Sequence, residues 1–210
     1  MRGNTYSKKQ SSEQISRKLS EFIKEIQYKN RNPVDNNVLK MLQEIETNPE
    51  LLFDSQQHLY RSRIVHSKDK LNGEYPFFGF GKDGSFVAPS ECTKDMRANY
   101  RYIPYLYCAT RPYLSVVEVR PRLGARVSVA RIRVNERLRL LDFSLQNYPK
   151  GMKPVKINLF YALSQLYSKP VTEDDDTLDY IPTQYIAEFV KRIGYDGIVF
   201  KSSLYNDENS

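Results

Sequence analysis

The chain has 210 residues, of which 40% are hydrophobic, 12% aromatic and 27% charged. This balance is typical of one substantial globular domain, with or without a helical appendage, and it excludes a large multidomain enzyme and a disordered chain. No apolar run approaches the roughly 18 residues that a membrane helix needs, and residues 1–14 lack the apolar core of a signal peptide, so we expect a cytoplasmic protein.

The net charge of +7 comes from one part of the chain. From Lys94 to Arg139 there are eleven Lys or Arg residues, and the acidic residues are only Asp95, Glu118 and Glu136. Arginine offers phosphate oxygens a fixed fork of donors, so such a segment suits a phosphate-bearing small molecule or a polyanion. The same arginines could equally line the solvated face of a sheet, and the charge alone leaves both interpretations open.

Cysteine and histidine are scarce: Cys92, Cys108, His58 and His66 are the whole set. They cannot form a disulfide framework, and their spacing is not that of zinc ligands, so we expect no metal site. Two histidines close to one strand do not suggest a Ser-His-Asp triad. Cys108 lies in an apolar segment, where a free thiol is usually part of the core.

The first 57 residues are predicted to form a helical appendage. Residues 12–29 carry one apolar stripe, made of Ile15, Leu19, Phe22, Ile23 and Ile26. Ser11 and Gln14 have the spacing of a capping box at its start. A second helix, marked by Val38, Met41, Leu42 and Ile45, is expected to end before Asn48-Pro49.

From residue 58 to residue 210 the pattern changes to alternating strands and helices, which predicts a second, α+β domain. Strands are predicted at residues 59–65, 103–108, 125–134, 137–143 and 198–200. Helices are predicted at residues 112–119 and 157–167 and around residues 186–193, the last one ended by Gly194. Residues 72–90 and the acidic run 173–176 are predicted as loops. Changes of apolar parity near Val129 and Leu140 suggest β-bulges or burial on both faces.

Residues 79–84 match G-x-G-x-x-G, the pattern of a dinucleotide-binding turn. Such a turn needs a buried strand before it and a helix that begins at the last glycine. Residues 85–90 contain Pro89 and no helical stripe. We therefore interpret this motif as a glycine-bearing loop.

Glu118 is the acidic residue that needs an explanation, because it lies on an apolar segment among arginines. A carboxylate in such a place requires a partner. One interpretation is an ion pair with Arg120 or Arg122. The other is a carboxylate that faces a cationic reaction centre, and the spacing does not decide between them.

Four blocks of this sequence resemble the RES-domain family, which is named after Arg, Glu and Ser. Residues 96–109, MRANYRYIPYLYCA, resemble the central G-R-x-N turn of the family and its strand ending in Tyr-x-Ala. The sequence that continues to Glu118 and Pro121 resembles the following helix with its glutamate. Residues 59–61 resemble the opening strand, and residues 180–188 and 195–203 the closing helix, strand and serine. The chain departs from the pattern at Met96, which replaces the usual glycine, and at residues 100–102, where Tyr-Arg-Tyr replaces Pro-x-Gly.

The resemblance implies a fold and an activity. RES-domain proteins are similar to ADP-ribosyltransferases in fold, which implies a mixed, mostly antiparallel and bulged sheet with flanking helices. The characterised members are bacterial toxins that consume NAD by cleaving its nicotinamide–ribose bond with phosphate or water, and many are paired with an antitoxin. NAD would then be the substrate and inorganic phosphate a co-substrate, with no cofactor and no metal.

The resemblance also implies the site residues. Glu118, Arg97, Tyr107 and Ser202 would be catalytic, and Arg61, Asn99 and Ser203 would bind the substrate. The implied partners are NAD and an antitoxin protein, a homo-oligomer is compatible with the chain, and we expect neither a membrane nor a nucleic acid. Two alternatives stay open: an enzyme that transfers ADP-ribose to a macromolecule, and a nucleic-acid-binding module built on the arginines and tyrosines of residues 97–139.

Overall fold

A computed structural model of the protein describes residues 3–73, 78–144, 148–169, 177–202 and 204. Its helices are α1 (Gly3–Tyr28), α2 (Asn37–Gln43), α3 (Lys82–Ser85), α4 (Pro112–Glu118), α5 (Pro154–Tyr167) and α6 (Ile181–Arg192). Its strands are β1 (Glu50–Phe53), β2 (His58–Ile64), β3 (Val127–Arg133), β4 (Leu138–Asp142) and β5 (Gly197–Val199). Short 3-10 turns occupy Ile45–Thr47, Ser90–Cys92 and Thr177–Tyr180.

The predicted α+β class is confirmed, and most predicted elements are present. The strand β1 was not predicted. The prediction of a strand at residues 103–108 is wrong, because these residues are not in a strand. The segment pairs with β2 at an isolated bridge between Tyr60 and Ala109, directly after those residues. Pro104 has no N–H to donate, which disfavours a continuous ladder there. The acidic run 173–176 and part of the predicted loop, residues 74–77, lie outside the described residues.

The chain divides into two compact units, and the first comprises Met1–Leu52, Asp95–Asn99 and Leu138–Lys201. In it α1 packs against α5 and α6. The 3.6-residue period explains this, because it places apolar side chains on one face of each helix. The side chains buried in this core are Ile15, Phe22 and Ile26 of α1, Leu159, Phe160 and Leu163 of α5, and Ile186 and Val190 of α6. Each contributes roughly 1.5–3 kcal/mol through the hydrophobic effect.

A three-stranded sheet completes the first unit, in the order β1-β4-β5. The pairing of β4 with β5 is parallel and sets Leu140 opposite Gly197. Helix α6 leads into β5 through Gly194, whose φ of +94° is the left-handed conformation that favours glycine at a helix end. The division of the chain into an appendage, residues 1–57, and a catalytic domain, residues 58–210, stays a prediction.

The second unit comprises Phe53–Lys94, Tyr100–Arg137 and Ser202–Ser210. Its strands β2 and β3 pair antiparallel, one residue to one from His58–Arg133 to Ile64–Val127, so the bulge predicted near Val129 is absent from this pairing. Helix α4 packs against β2, where the Ser62 and Ser115 hydroxyl oxygens are 2.7 Å apart. A buried hydrogen bond between two small side chains therefore joins α4 to β2.

None of the described helices is both long enough and apolar enough to cross a membrane.

Candidate functional site

Four of the predicted site residues lie in the second unit: Arg61, Tyr107, Glu118 and Ser202. Three of these four are on β2 or on segments that contact it. Arg61 is on β2 itself, and Glu118 is on α4, which packs against β2. Tyr107 is on the extended segment that meets β2 at Tyr60. Helix α4 contacts β2 through the Ser62–Ser115 pair, and Ser62 projects to the face of β2 opposite to that of Arg61, so these contacts alone do not bring Glu118 next to Arg61.

Arg61 carries a charge that no described residue neutralises. It is half-buried on β2, opposite the small side chain of Ala130. Its Nη1 is buried and has no hydrogen-bond partner among the described residues. Burial, and to a lesser degree the neighbouring charge of Arg63, lower the pKa of Arg61, but a guanidinium remains protonated in proteins. A buried donor without a partner is costly, so this position favours the binding of an anion.

The thiol of Cys108 lies near Arg61 but does not neutralise it. Burial raises the pKa of Cys108 to about 11, although the charge of Arg61 acts in the opposite direction. The thiol is therefore neutral at pH 7 and a poor nucleophile. This agrees with the interpretation of Cys108 as a packed residue. No group of three or more His, Cys, Asp or Glu among the described residues is arranged to hold a metal ion.

Glu118 is the last residue of α4 and is exposed. Within the described part of the chain its carboxylate makes neither an ion pair nor a hydrogen bond, so the proposed pairing with Arg120 or Arg122 is absent. A negative charge at the C-terminal end of a helix is slightly unfavourable, so Glu118 does not stabilise α4. Ser115 anchors the helix instead: its hydroxyl donates to the Pro112 carbonyl oxygen at 2.7 Å. The Glu118 carboxylate is left available for a ligand.

Tyr107 and Ser202 are both half-buried. The segment that carries Tyr107 is held to β2 by two hydrogen bonds of 2.8 Å, in which Tyr60 and Ala109 each donate an N–H to the other's carbonyl. The Ser202 hydroxyl oxygen accepts a hydrogen bond of 3.1 Å from the Leu204 N–H. Ser203 lies outside the described residues.

The other two predicted site residues, Arg97 and Asn99, lie in the first unit, on the turn that spans Met96 and Asn99. Gln184 of α6 holds this turn, because its Nε2 donates to the Met96 and Asn99 carbonyl oxygens at 2.9 Å each. Gln184 is fully buried. Gln184 was not among the predicted site residues, although an amide in the middle of an amphipathic helix is a signal for such a contact.

Arg97 already has protein partners. Its Nη1 donates to the Leu166 carbonyl oxygen at 2.9 Å and its Nη2 to that of Lys169, at the end of α5. The last carbonyls of a helix have no partners inside it, so Arg97 acts as their cap. The cleft beside it has a volume of about 70 Å³. Ligand pockets usually measure roughly 300–1,000 Å³, so this cleft is too small for a dinucleotide.

Residues 79–81 form a loop that leads directly into α3. Gly79 exchanges two backbone hydrogen bonds with Asn72, of 2.7 and 3.0 Å. The helix α3, Lys82–Ser85, begins inside this motif after Gly81, has four residues and buries none of them. The prediction of a loop over residues 72–90 is therefore wrong for residues 82–85, which form α3, and the interpretation against a dinucleotide-binding turn stays a prediction.

The region of the chain that begins on β2 matches a known family. The model of the RES domain matches residues 59–210. No curated protein and no solved structure matched the chain. Because the match covers more than half of the sequence, the chain belongs to the RES-domain family. This family is associated with NAD-related enzymatic activity and with toxin–antitoxin systems.

Proposed function

We propose that this protein is a toxin-like enzyme that degrades NAD by cleaving the nicotinamide–ribose bond, by phosphorolysis or hydrolysis. The observation that carries the proposal is the buried Nη1 of Arg61, which has no partner among the described residues. Arg61 belongs to the matched RES region. The diphosphate of NAD has the charge and the acceptors that this guanidinium lacks.

Glu118 would stabilise the transition state. When the bond breaks, its electron pair leaves with nicotinamide, and positive charge develops on the ribose ring. A carboxylate beside that ring stabilises the transition state more than the ground state, as in glycosidases. Phosphate or water then forms the new bond to the ribose carbon, and a water nucleophile loses its proton to solvent. Nicotinamide leaves as a neutral molecule, so its departure needs no acid.

The remaining residues would position the substrate. The Tyr107 ring can stack on nicotinamide or adenine, and the Ser202 hydroxyl can hold a ribose hydroxyl or the nicotinamide amide. Asn99 and Ser203 would contribute polar contacts. Arg97 is assigned to the substrate by the resemblance alone, and a phosphate contact there would replace its contacts with the Leu166 and Lys169 carbonyls.

The test uses the purified full chain with NAD, with and without inorganic phosphate, and follows nicotinamide and the ribose product. We expect the wild type to release nicotinamide. We expect Arg61→Gln to raise KM for NAD at least about tenfold, since charged hydrogen bonds contribute roughly 1.5–3 kcal/mol. Arg131→Gln is the matched control, because Arg131 is exposed on the opposite face of the same two strands.

The products separate the alternatives. Free ADP-ribose indicates hydrolysis, and its phosphate ester indicates phosphorolysis. ADP-ribose found only attached to protein or nucleic acid would show that the enzyme transfers ADP-ribose and does not degrade NAD to free products. No release of nicotinamide under any condition would refute the proposal.

A toxin-like enzyme also needs restraint in the cell. We therefore include an inhibitory antitoxin protein and a cytoplasmic location in the proposal. Expression in bacteria should slow growth and lower cellular NAD. Normal growth with unchanged cellular NAD would contradict the proposed toxin function, even if the purified protein cleaves NAD.

A further inference from the structure

We propose that Arg63 is a positioning residue that acts together with Phe80. The two hold residues 79–84, the glycine segment, against the face of β2 and β3 that carries Arg61, and so determine how tightly Arg61 binds an anion. The inference rests on the proposed function for the identity of that anion. The experiment below separates the two.

Arg61 and Arg63 are neighbours on one face of the strand pair. They are two residues apart on β2, so their side chains project to the same side. Across on β3, Ala130 is opposite Arg61 and Ser128 is opposite Arg63. Successive residues rise about 3.3 Å along a strand, so the two arginines are separated by roughly 7 Å at their Cα atoms.

Three contacts hold the glycine segment at the Arg63 end of this face. Arg63 Nη1 donates to the Gly84 carbonyl oxygen. The Arg63 guanidinium carbon lies 4.0 Å from the centre of the Phe80 ring. The Phe80 N–H donates to the Ser128 hydroxyl oxygen at 3.1 Å. Arg63 therefore holds the segment at two points, its backbone and its aromatic ring.

The glycines allow this close approach. A Cβ atom at Gly79 would lie 3.0 Å from the Ser128 hydroxyl oxygen, and one at Gly81 would collide with the Asn72 side-chain nitrogen. Gly79 thus lies close against Ser128 of β3 and Gly81 close against Asn72, and a larger residue at either position would have to move that side chain. This gives the G-x-G-x-x-G motif a structural reason without a dinucleotide-binding turn.

The position of the segment matters for Arg61 through water. Burial is the main cause that lowers the pKa of Arg61, and the glycine segment covers the neighbouring positions on the same face. Attraction between a guanidinium and an anion strengthens as water is excluded. If the segment moves away, water reaches Arg61 and the attraction weakens, although Arg61 itself is unchanged.

The test compares Arg63→Lys, Phe80→Leu and the double variant with the wild type. Arg63→Lys keeps the charge but loses the planar fork, and Phe80→Leu keeps an apolar side chain but loses the ring. Arg131→Lys is the control on the opposite face. The measurements are Kd for inorganic pyrophosphate, KM and kcat for NAD, and the melting temperature.

We expect each single variant to raise Kd for pyrophosphate and KM for NAD about tenfold, with kcat nearly unchanged. The double variant should also lose about tenfold and not a hundredfold, because either change releases the same segment. Unchanged Kd in both variants, with only a lower melting temperature, would make Arg63 purely structural and overturn the inference. So would a wild type that binds no pyrophosphate. A wild type that binds pyrophosphate but leaves NAD intact would refute only the proposed function.

Discussion

Arg61 and Arg63 project from the same face of β2, yet Arg63 Nη1 donates to the Gly84 carbonyl oxygen, whereas Arg61 Nη1 is buried with no partner in the described part of the chain. Two like charges this close repel each other, and the repulsion is tolerated because Arg63 is engaged by an oxygen and an aromatic ring. The remaining positive charge is therefore concentrated at Arg61. An anion bound there would satisfy a donor that folding leaves without a partner.

Replacing Glu118 by Gln tests its role directly. The substitution keeps the size of the side chain and removes its charge. Because Glu118 is exposed and makes no ion pair with the described residues, we expect an unchanged melting temperature. We expect kcat for NAD to fall about 100- to 1,000-fold, as when one electrostatic stabiliser is removed from an active site. NAD consumption and a thermal melt of the same preparation measure both effects.

Glu136→Gln is the matched control for this experiment, because Glu136 is also exposed and lies in the same unit. Its activity should equal that of the wild type. A Glu118→Gln protein with full activity would remove Glu118 from the site. A destabilised one would show that it has a structural partner.

Arg97→Ala is expected to affect both stability and substrate binding. The variant leaves the Leu166 and Lys169 carbonyls at the end of α5 without their donor. We expect the free energy of unfolding to fall by about 1–2 kcal/mol and KM for NAD to rise. Arg31→Ala, an exposed arginine between α1 and α2, should change neither. Lower stability with an unchanged KM would assign Arg97 a capping role alone.

Local patterns in the sequence predicted the elements that local physics determines. The spacing of Ile15, Phe22 and Ile26 follows the helical period, and all three are buried in the core of the first unit. Residues 103–108 were predicted wrongly as a strand, because apolar composition was weighed above the missing donor of Pro104. The short strand β1 was not predicted, since four residues carry too little periodicity.

The site was predictable only in part, for a different reason. Arg61 and Glu118 were identified through resemblance to a family. Such a resemblance identifies the types of the site residues and their order along the chain. Contacts between distant residues leave no local pattern: Arg63 meets Gly84 across 21 positions, and Gln184 meets Met96 across 88. That Arg61 Nη1 has no hydrogen-bond partner among the described residues is harder still to predict, because it depends on the positions of all the surrounding side chains.

Tyr102 has a left-handed backbone conformation, with φ of +69°, at the turn where the RES pattern usually has glycine. This conformation costs a residue with a side chain roughly 1–2 kcal/mol. We therefore expect Tyr102→Gly to be more stable than Tyr102→Ala by about 1 kcal/mol in chemical denaturation. Both variants lose the same contact between the Tyr102 ring and Arg101, so the comparison isolates the backbone. At a position of ordinary negative φ, alanine would be the more stable of the two.

The carboxylate of Glu50 should make stability depend on pH. It accepts hydrogen bonds of 3.1 Å from Arg139 Nε and of 2.9 Å from the Tyr195 hydroxyl. The bond from Arg139 is the main cause that lowers the pKa of Glu50 below its ordinary value of 4.5, against the effect of burial. The stabilisation is therefore fully present above about pH 4.5 and is lost as the pH falls through the lower pKa of the folded state.

Glu50→Gln measures this contribution. Because the Arg139 side chain is 38% exposed, solvent screening limits the effect to about 1 kcal/mol at pH 7. We expect the difference in unfolding free energy between wild type and variant to shrink as the pH falls below 4.5, where the wild-type carboxylate takes up a proton. Asp54→Asn is the control, since its ion pair with Arg137 is 3.4 Å long and largely exposed on both sides. A Glu50→Gln difference that stays constant from pH 7 to pH 3 would show that shape and hydrogen bonding, and not charge, make Glu50 stabilising.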